Sequence, residues 1–296
     1  MPESTFRMTT AFRHGRTKVD DLYFEAPFKL MTPFHHDART DCMVMLASPG
    51  FLKGDIAHIY CTFGAGTDTT MQTQSYEKVL DTADGEAKRT IDLTVQGDAK
   101  AVFLPFPVIP FAHSTFSNVT TAHISPESTF VYADVVTCGR VGMGEIWRMR
   151  RFSNTLRIYV DYPDDSNSRA PHRGRPRNDA GQPIPRLAFA DRLLLEPERF
   201  DYTEMAMWRE YTHCGMAYIH LPQQGGQGSG IRGDEQTDRT AAEDALIADI
   251  RGYAEDHGFH GELGVSRQVN GIAVRLLTAR GDEAFDFISD VAGLVR

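Results

Sequence analysis

The chain has 296 residues, enough for one large domain or two ordinary ones. Hydrophobic residues make up 41% and charged residues 24%, which excludes a chain that stays disordered for want of a core. The 40 acidic against 31 basic residues give a net charge of -9, the wrong sign for gripping nucleic acid or an anionic membrane surface.

Near the N-terminus, residues 1–10 lack the apolar stretch of a signal peptide, and no window approaches the length of a membrane span, so a soluble cytoplasmic protein is expected. From residue 22 to about 160 the dominant period is two, the mark of half-buried strands. Residues 42–47, 56–63, 90–95, 100–104, 130–137, 146–149 and 156–160 read as strands, separated by turn signals such as Ser48-Pro49-Gly50, Asp84-Gly85 and Gly97-Asp98. This pattern suits a sandwich, a barrel or an irregular solenoid, and no fixed repeat period chooses among them.

Residues 162–186 are polar and proline-bearing, with the basic run His172-Arg173-Gly174-Arg175-Pro176-Arg177, and read as an exposed insertion. A glycine-rich stretch at 222–238 reads as a flexible linker. Beyond it the period becomes helical. Thr240 with Glu243 has capping-box spacing, Ala242, Leu246, Ile250 and Tyr253 share a face, and Gly258 can close the helix. Residues 262–277 read as a hairpin about Asn270-Gly271, and 282–295 as a last helix with Ala284, Phe287, Ile288 and Val291 inward. Two amphipathic helices need a partner surface, so the expectation is one domain over 1–296, a β body at about 17–221 with a helix, hairpin and helix tail at 239–296 docked on it.

Candidate chemistry is sparse. Gly228-Ser229-Gly230-Ile231-Arg232-Gly233 fits G-x-G-x-x-G, but no strand runs straight into it and no helix straight out, as a phosphate site requires. His35-His36-Asp37 are adjacent residues that an extended chain points to opposite faces, so they read as a solvated loop. Cys42, Cys61, Cys138 and Cys214 are widely spaced, which suggests neither a disulfide framework nor a structural zinc site. Asp55, Asp92, Asp134, Glu145 and Asp161 lie on or beside strands, and two of them across a cleft could hydrolyse a glycoside. Trp147 and Trp208 could serve a carbohydrate-binding module as exposed platforms, although core packing is the commoner fate. The run from Asp134 to Glu145 holds Gly139, Gly142, Gly144 and Arg140, a set suited to tight turns and to a bidentate arginine–carboxylate pair.

That run, D-x4-G-R-x3-G-E, resembles the urease accessory protein UreD family, called UreH in some organisms. Four further blocks resemble the family in the same order: Gly50-Phe51-Leu52-Lys53-Gly54-Asp55; Thr69-Thr70 with Gln74 and Lys78-Val79; Leu104-Pro105-Phe106-Pro107-Val108-Ile109-Pro110-Phe111; and Glu210-Tyr211-Thr212-His213. The resemblance covers about residues 17–221 and, more weakly, the tail. It departs at Asp134, where the family often has Glu, at Leu80, where an aromatic is usual, and in the expanded 162–186 loop.

The resemblance implies a mostly β, elongated, irregular β-helix or sandwich-like scaffold with two amphipathic helices toward the C-terminus. It implies no catalytic activity and no tightly held cofactor. The implied role is urease maturation: with the helical UreF and the GTPase UreG the chain would dock on apo-urease, and Ni²⁺ would pass in transit. Asp55, Asp134 and Glu145 are then the candidate metal-passage or partner-contact groups, with Arg140 orienting one acid. Thr69, Thr70, Gln74, Lys78, Pro105, Pro107, Pro110, Gly139 and Gly144 complete the motif residues. The reading of a β-fold carbohydrate-active enzyme with paired carboxylates stands as the alternative.

Overall fold

Successive strands of this chain fall in alternate sheets. The computed structural model describes residues 3–162, 185–223 and 232–295. Arg39–Leu46, Asp68–Thr73, Lys100–Phe103 and Thr129–Thr137 lie parallel in a first sheet. Ile56–Phe63, Ala87–Val95, Thr115–Ile124 and Arg151–Val160 lie parallel in a second. A chain that crosses back and forth this way winds into coils, and the coils stack as an irregular β-solenoid. Coil length varies: His58 meets Thr90 32 residues on, Arg89 meets Asn118 29 on, and Asn118 meets Asn154 36 on. Unequal coils leave no fixed period in the sequence.

Antiparallel strands close the ends. Glu3–Arg13 pairs in parallel with Ile56–Phe63 and forms a hairpin with Arg16–Phe24. Arg186–Leu195 pairs with Arg151–Val160, while His213–His220, Gly271–Thr278 and Glu262–Gln268 extend the first sheet. The main core lies between the sheets, where the inward parity of each strand places Phe6, Met8, Phe63, Leu93, Ile124 and Ile158. A second core lies on the outer face of the first sheet. There Val131, Ala133, Val135, Ala217 and Ile219 meet Ile250 of helix α1 (Arg232–Asp256) and Ile288 and Val291 of helix α2 (Gly281–Leu294). Covered on both faces, His213–His220 is buried along its whole length instead of alternating.

Several boundaries differ from the sequence reading. The first strand begins at Glu3, well before residue 17 or 22, because the inward positions around Phe6 and Met8 include buried Ser4 and Thr10, which hide the alternation. Helix α1 begins at Arg232, so the expected linker is shorter than 222–238, and Thr240 is a helix interior residue. Glu243 caps nothing; it is buried and takes Arg239 at 3.0 Å and Arg267 at 3.4 Å. The C-terminal hairpin pairs Gln268 with Gly271, which puts Val269 and Asn270 at its turn. The expected strand at 146–149 shrinks to Glu145–Ile146, since Trp147 takes a positive φ of 55°. His35 and His36 lie in a short strand, not a loop, and part to Thr40 and Asp41 respectively. Residues 163–184 of the expected insertion, 224–231 of the expected linker, and with the latter most of the G-x-G-x-x-G run, lie outside the described residues. Among the described residues no helix is long and apolar enough to cross a membrane.

Candidate functional site

Each passage from the first sheet to the second is a long turn, at 47–55, 74–86, 104–114 and 138–150, and these turns stack on one edge of the solenoid. Four of the five matched sequence blocks lie in or run into them. Backbone bonds tie the first to the second: Phe51 N–H donates to the Lys78 carbonyl at 2.8 Å, and Leu80 N–H to the Phe51 carbonyl at 2.9 Å. Glu77 N–H donates to the Pro107 carbonyl at 3.0 Å and Phe111 N–H to the Val79 carbonyl at 2.9 Å, which ties the second to the third. Pro105, Pro107 and Pro110 lack N–H groups, so this turn offers carbonyls without leaving buried donors unmet.

Two glycines permit close backbone approaches, Gly50 to the neighbouring turn and Gly139 within its own. At Gly50, φ is +150° and a Cβ would lie 2.5 Å from the Lys78 carbonyl oxygen; at Gly139, φ is +138° and it would lie 2.3 Å from that of Glu145. The fourth turn is held to the third by a side chain. Glu145 Oε1 accepts the Ala112 N–H at 2.8 Å and Arg140 Nε–H at 3.0 Å, while Oε2 accepts from Arg140 Nη2–H. The Arg140 guanidinium lies 4.3 Å above the Phe111 ring and, by its hydrogen bond, holds the Glu145 carboxyl below the ordinary range. Gly144, at φ +70°, closes the short 3₁₀ turn Val141–Met143 between them.

The three candidate acids stand apart. Asp55 is buried in the first turn, where Oδ2 accepts the Leu52 N–H at 2.8 Å. Glu145 sits three coils away, about 14 Å at ordinary strand spacing. Asp134 points into the solenoid from Thr129–Thr137, at the end of a buried polar file. In that file Glu77 pairs with Arg89, Arg89 Nε donates to Asn118 at 2.7 Å, Asn118 Nδ2 to Asn154 at 2.6 Å, and Asn154 Nδ2 to Asp134 at 2.7 Å. Burial pushes the Asp134 carboxyl up to about 6, against the hydrogen bond from Asn154. Among the described residues no group of three or more His, Cys, Asp or Glu is placed to hold a metal ion.

Beside the stacked turns opens a cleft of about 680 Å³ between Tyr76, Lys78, Phe111, Arg140, His213 and the start of α2 at Gly281. It gathers side chains from four matched blocks that are remote in sequence. His213 shows how its chemistry is set. The Thr212 hydroxyl gives its hydrogen to the Ala279 carbonyl at 2.8 Å, so at 2.8 Å from His213 Nδ1 it must accept. Burial pushes the imidazole down to about 4, so near neutral pH the ring carries one proton, on Nδ1, and Nε2 presents a bare lone pair beside Gly281.

Other motif residues serve the frame. Thr69 and Thr70 are buried on Asp68–Thr73, Gln74 and Lys78 are exposed, and Phe106 N–H donates to Thr73 Oγ1 at 2.9 Å. Trp147 and Trp208 pack edge to face at 4.8 Å, and Trp208 is buried, so they form no pair of coplanar exposed platforms. All four cysteines are buried free thiols, and burial pushes that of Cys214 up to about 12. The buried polar file escaped the sequence reading, although its signal was present: Arg89, Asn118 and Asn154 occupy the inward parity of their strands, where a polar residue is unusual.

Comparison with known proteins agrees with these blocks. The family model described as UreD urease accessory protein matches residues 3–296. The urease accessory protein UreH of Helicobacter pylori strain G27 is 30% identical over 221 residues, 74% of this chain and 73% of that protein. UreD of Acetivibrio thermocellus is 34% identical over 159 residues, 53% of this chain and 61% of that protein. UreD of Actinobacillus pleuropneumoniae is 26% identical over 277 residues, covering 90% and 87%. With a match that spans every described strand and both helices, the chain belongs to the urease accessory protein UreD family.

Proposed function

We propose that this protein is a non-enzymatic, cytoplasmic maturation factor that docks with UreF and UreG on apo-urease and assists the insertion of nickel. The observation that carries the reading is membership of the family along the whole chain, joined to the convergence of the family's sequence blocks on one edge and one cleft. Nickel is cargo in this scheme. A carrier must let its ion go, so scattered carboxylate, amide and water contacts suit transit better than a closed cage of imidazoles and thiolates. Asp134 supplies a carboxylate that loses its proton near pH 6 inside a polar file, while Asp55 and Glu145 shape the turns that meet partners.

The test is co-expression with a urease operon, with and without this chain, reading nickel content and urea hydrolysis. Equal nickel loading in both arms defeats the proposal. In a reconstituted system, alanine at Asp55, Asp134 and Glu145 together lowers activation; unchanged activation removes those residues from the mechanism.

A further inference from the structure

The cleft between the stacked turns and the start of α2 holds polar atoms that the frame does not use. His213 lines it and is only 8% exposed, yet its Nε2 lone pair meets no donor among the described residues. A Cβ at Gly281 would lie 2.8 Å from that nitrogen and 3.5 Å from Tyr76 Oη, so the missing side chain leaves both atoms open to one space. The Tyr76 hydroxyl is unbonded within the same set of residues. Burial, helped by Asp282 and Asp286, holds its proton affinity above the ordinary range, so at neutral pH it is a donor. Charge at the site favours an anion. Lys78, Arg140 and Arg280 line the cleft against one acid, Asp282. Arg140 is paired with Glu145 and Arg280 with Asp282, whose carboxylate also takes the Glu283 N–H at 3.0 Å. The charge left over is the exposed ammonium of Lys78, which has no ion pair among the described residues. Helix α2 begins at Gly281, so its positive end opens on the same space.

We infer that this cleft binds an oxyanion that keeps an O–H at neutral pH, hydrogenphosphate, which donates that hydrogen to His213 Nε2 and sets its anionic oxygens on the Lys78 ammonium and the Tyr76 hydroxyl. Selectivity follows from the acceptor. A carboxylate or a sulfate has no hydrogen to give, and its oxygens would face the lone pair of a buried ring. A phosphomonoester, with a second pKa of about 6, has also lost its last hydrogen by pH 8, whereas free phosphate still carries one. The inference goes beyond the urease reading and does not rest on it.

The experiment is a calorimetric titration of the purified full chain, at about pH 8 and constant ionic strength, with inorganic phosphate, sulfate and phosphoserine. The His213 ring is followed in parallel by NMR of histidine-labelled protein. Phosphate is expected to bind about tenfold more tightly than sulfate or phosphoserine and to move the His213 signal. Lys78→Ala, an exposed change, weakens phosphate about tenfold at an unchanged unfolding midpoint. His213→Phe brings phosphate down to the level of sulfate. Should that variant disturb folding, Lys78→Ala and the His213 signal of the parent protein decide the matter. Equal affinities for the three anions, tighter binding of phosphoserine, phosphate binding that Lys78→Ala leaves unchanged, a His213 signal that stays in place, or no phosphate binding overturns the proposal.

Discussion

Along one edge of the solenoid the chain crosses between sheets in the short turns 64–67, 96–99 and 125–128; along the other it makes the long turns 47–55, 74–86, 104–114 and 138–150. Each short turn closes on itself, with Thr67 N–H on the Gly64 carbonyl at 3.2 Å, Ala99 on Gln96 at 3.1 Å and Ser128 on Ser125 at 3.1 Å. The long turns carry such bonds too, Asp55 N–H on the Leu52 carbonyl at 3.0 Å and Gly85 on Thr82 at 2.9 Å among them, but they are longer and are also bonded backbone to backbone to one another. The interior follows the same division. Toward the short turns it is mainly apolar, with Val95, Ile124 and Val160 and the buried hydroxyls of Thr10 and Thr69, and toward the long turns it holds the charged and amide file from Glu77 to Asp134. A turn that completes its own hydrogen bonds can be generic. A turn that depends on its neighbours fixes several residues at once, which is where a binding surface can be held in shape.

The largest expected effect tests the polar interior. Arg89→Leu leaves the buried Glu77 carboxylate without its cation and costs about 3 to 5 kcal/mol in urea denaturation, while Arg89→Leu combined with Glu77→Leu recovers most of it. A double variant no more stable than the single one would show that the pair is not the source of the loss.

Asp134 gives the next effect, with a definite sign. Its carboxyl rises from 3.8 to about 6 on folding, so the folded state holds this proton more tightly than the unfolded chain does. The residue therefore penalises folding above pH 6, by roughly 3 kcal/mol at 1.36 per pH unit, and the penalty fades as pH falls toward 4. Relative to the parent, Asp134→Asn gains stability at pH 7.5 and loses that advantage at pH 4.5. A stability difference that is the same at both values contradicts the burial argument.

The two edges can then be compared directly through glycine. Gly139→Ala places a Cβ 2.3 Å from the Glu145 carbonyl oxygen at φ +138° and is expected to cost about 3 kcal/mol. Gly66→Ala on the short edge has φ +73° but meets nothing nearer than Phe12 Cβ at 3.5 Å, so its cost is about 1 to 2 kcal/mol. Equal midpoint shifts in thermal unfolding would mean that the close approach of Glu145 adds nothing to the backbone strain.

The smallest effect concerns His213. Its proton affinity drops from 6.5 to about 4 on folding, so the unfolded chain takes up the proton first and stability falls as pH drops below 6.5. His213→Gln removes that slope, measurable as a smaller loss of stability between pH 7 and pH 5.

Much of the fold could be read from the residues. The strand Ile56–Phe63 follows its alternation to the residue, and the last helix buries the Ala284, Phe287, Ile288 and Val291 face that its spacing requires. The pairing of Arg140 with Glu145 follows from residue type and short separation. What misled was local chemistry with a tertiary purpose: Thr240 and Glu243 look like a cap, yet Glu243 answers to Arg239 and Arg267. Polar residues on the inward parity, Ser4, Thr10, Arg89 and Asn118, blur the periodic signal because the solenoid interior accepts them only when partners arrive from other coils.

The sequence by itself determined the strand-rich body, the two C-terminal helices, the tight-turn glycines and the family, because side-chain periodicity, backbone freedom and block order are local properties of the chain. Only the tertiary structure decided that Asp55, Asp134 and Glu145 lie apart, that His213 meets Gly281 and Tyr76 in one cleft, and that a polar file crosses the core. Those facts depend on which coil stacks on which, and with coils of unequal length no spacing along the chain encodes a distance across it.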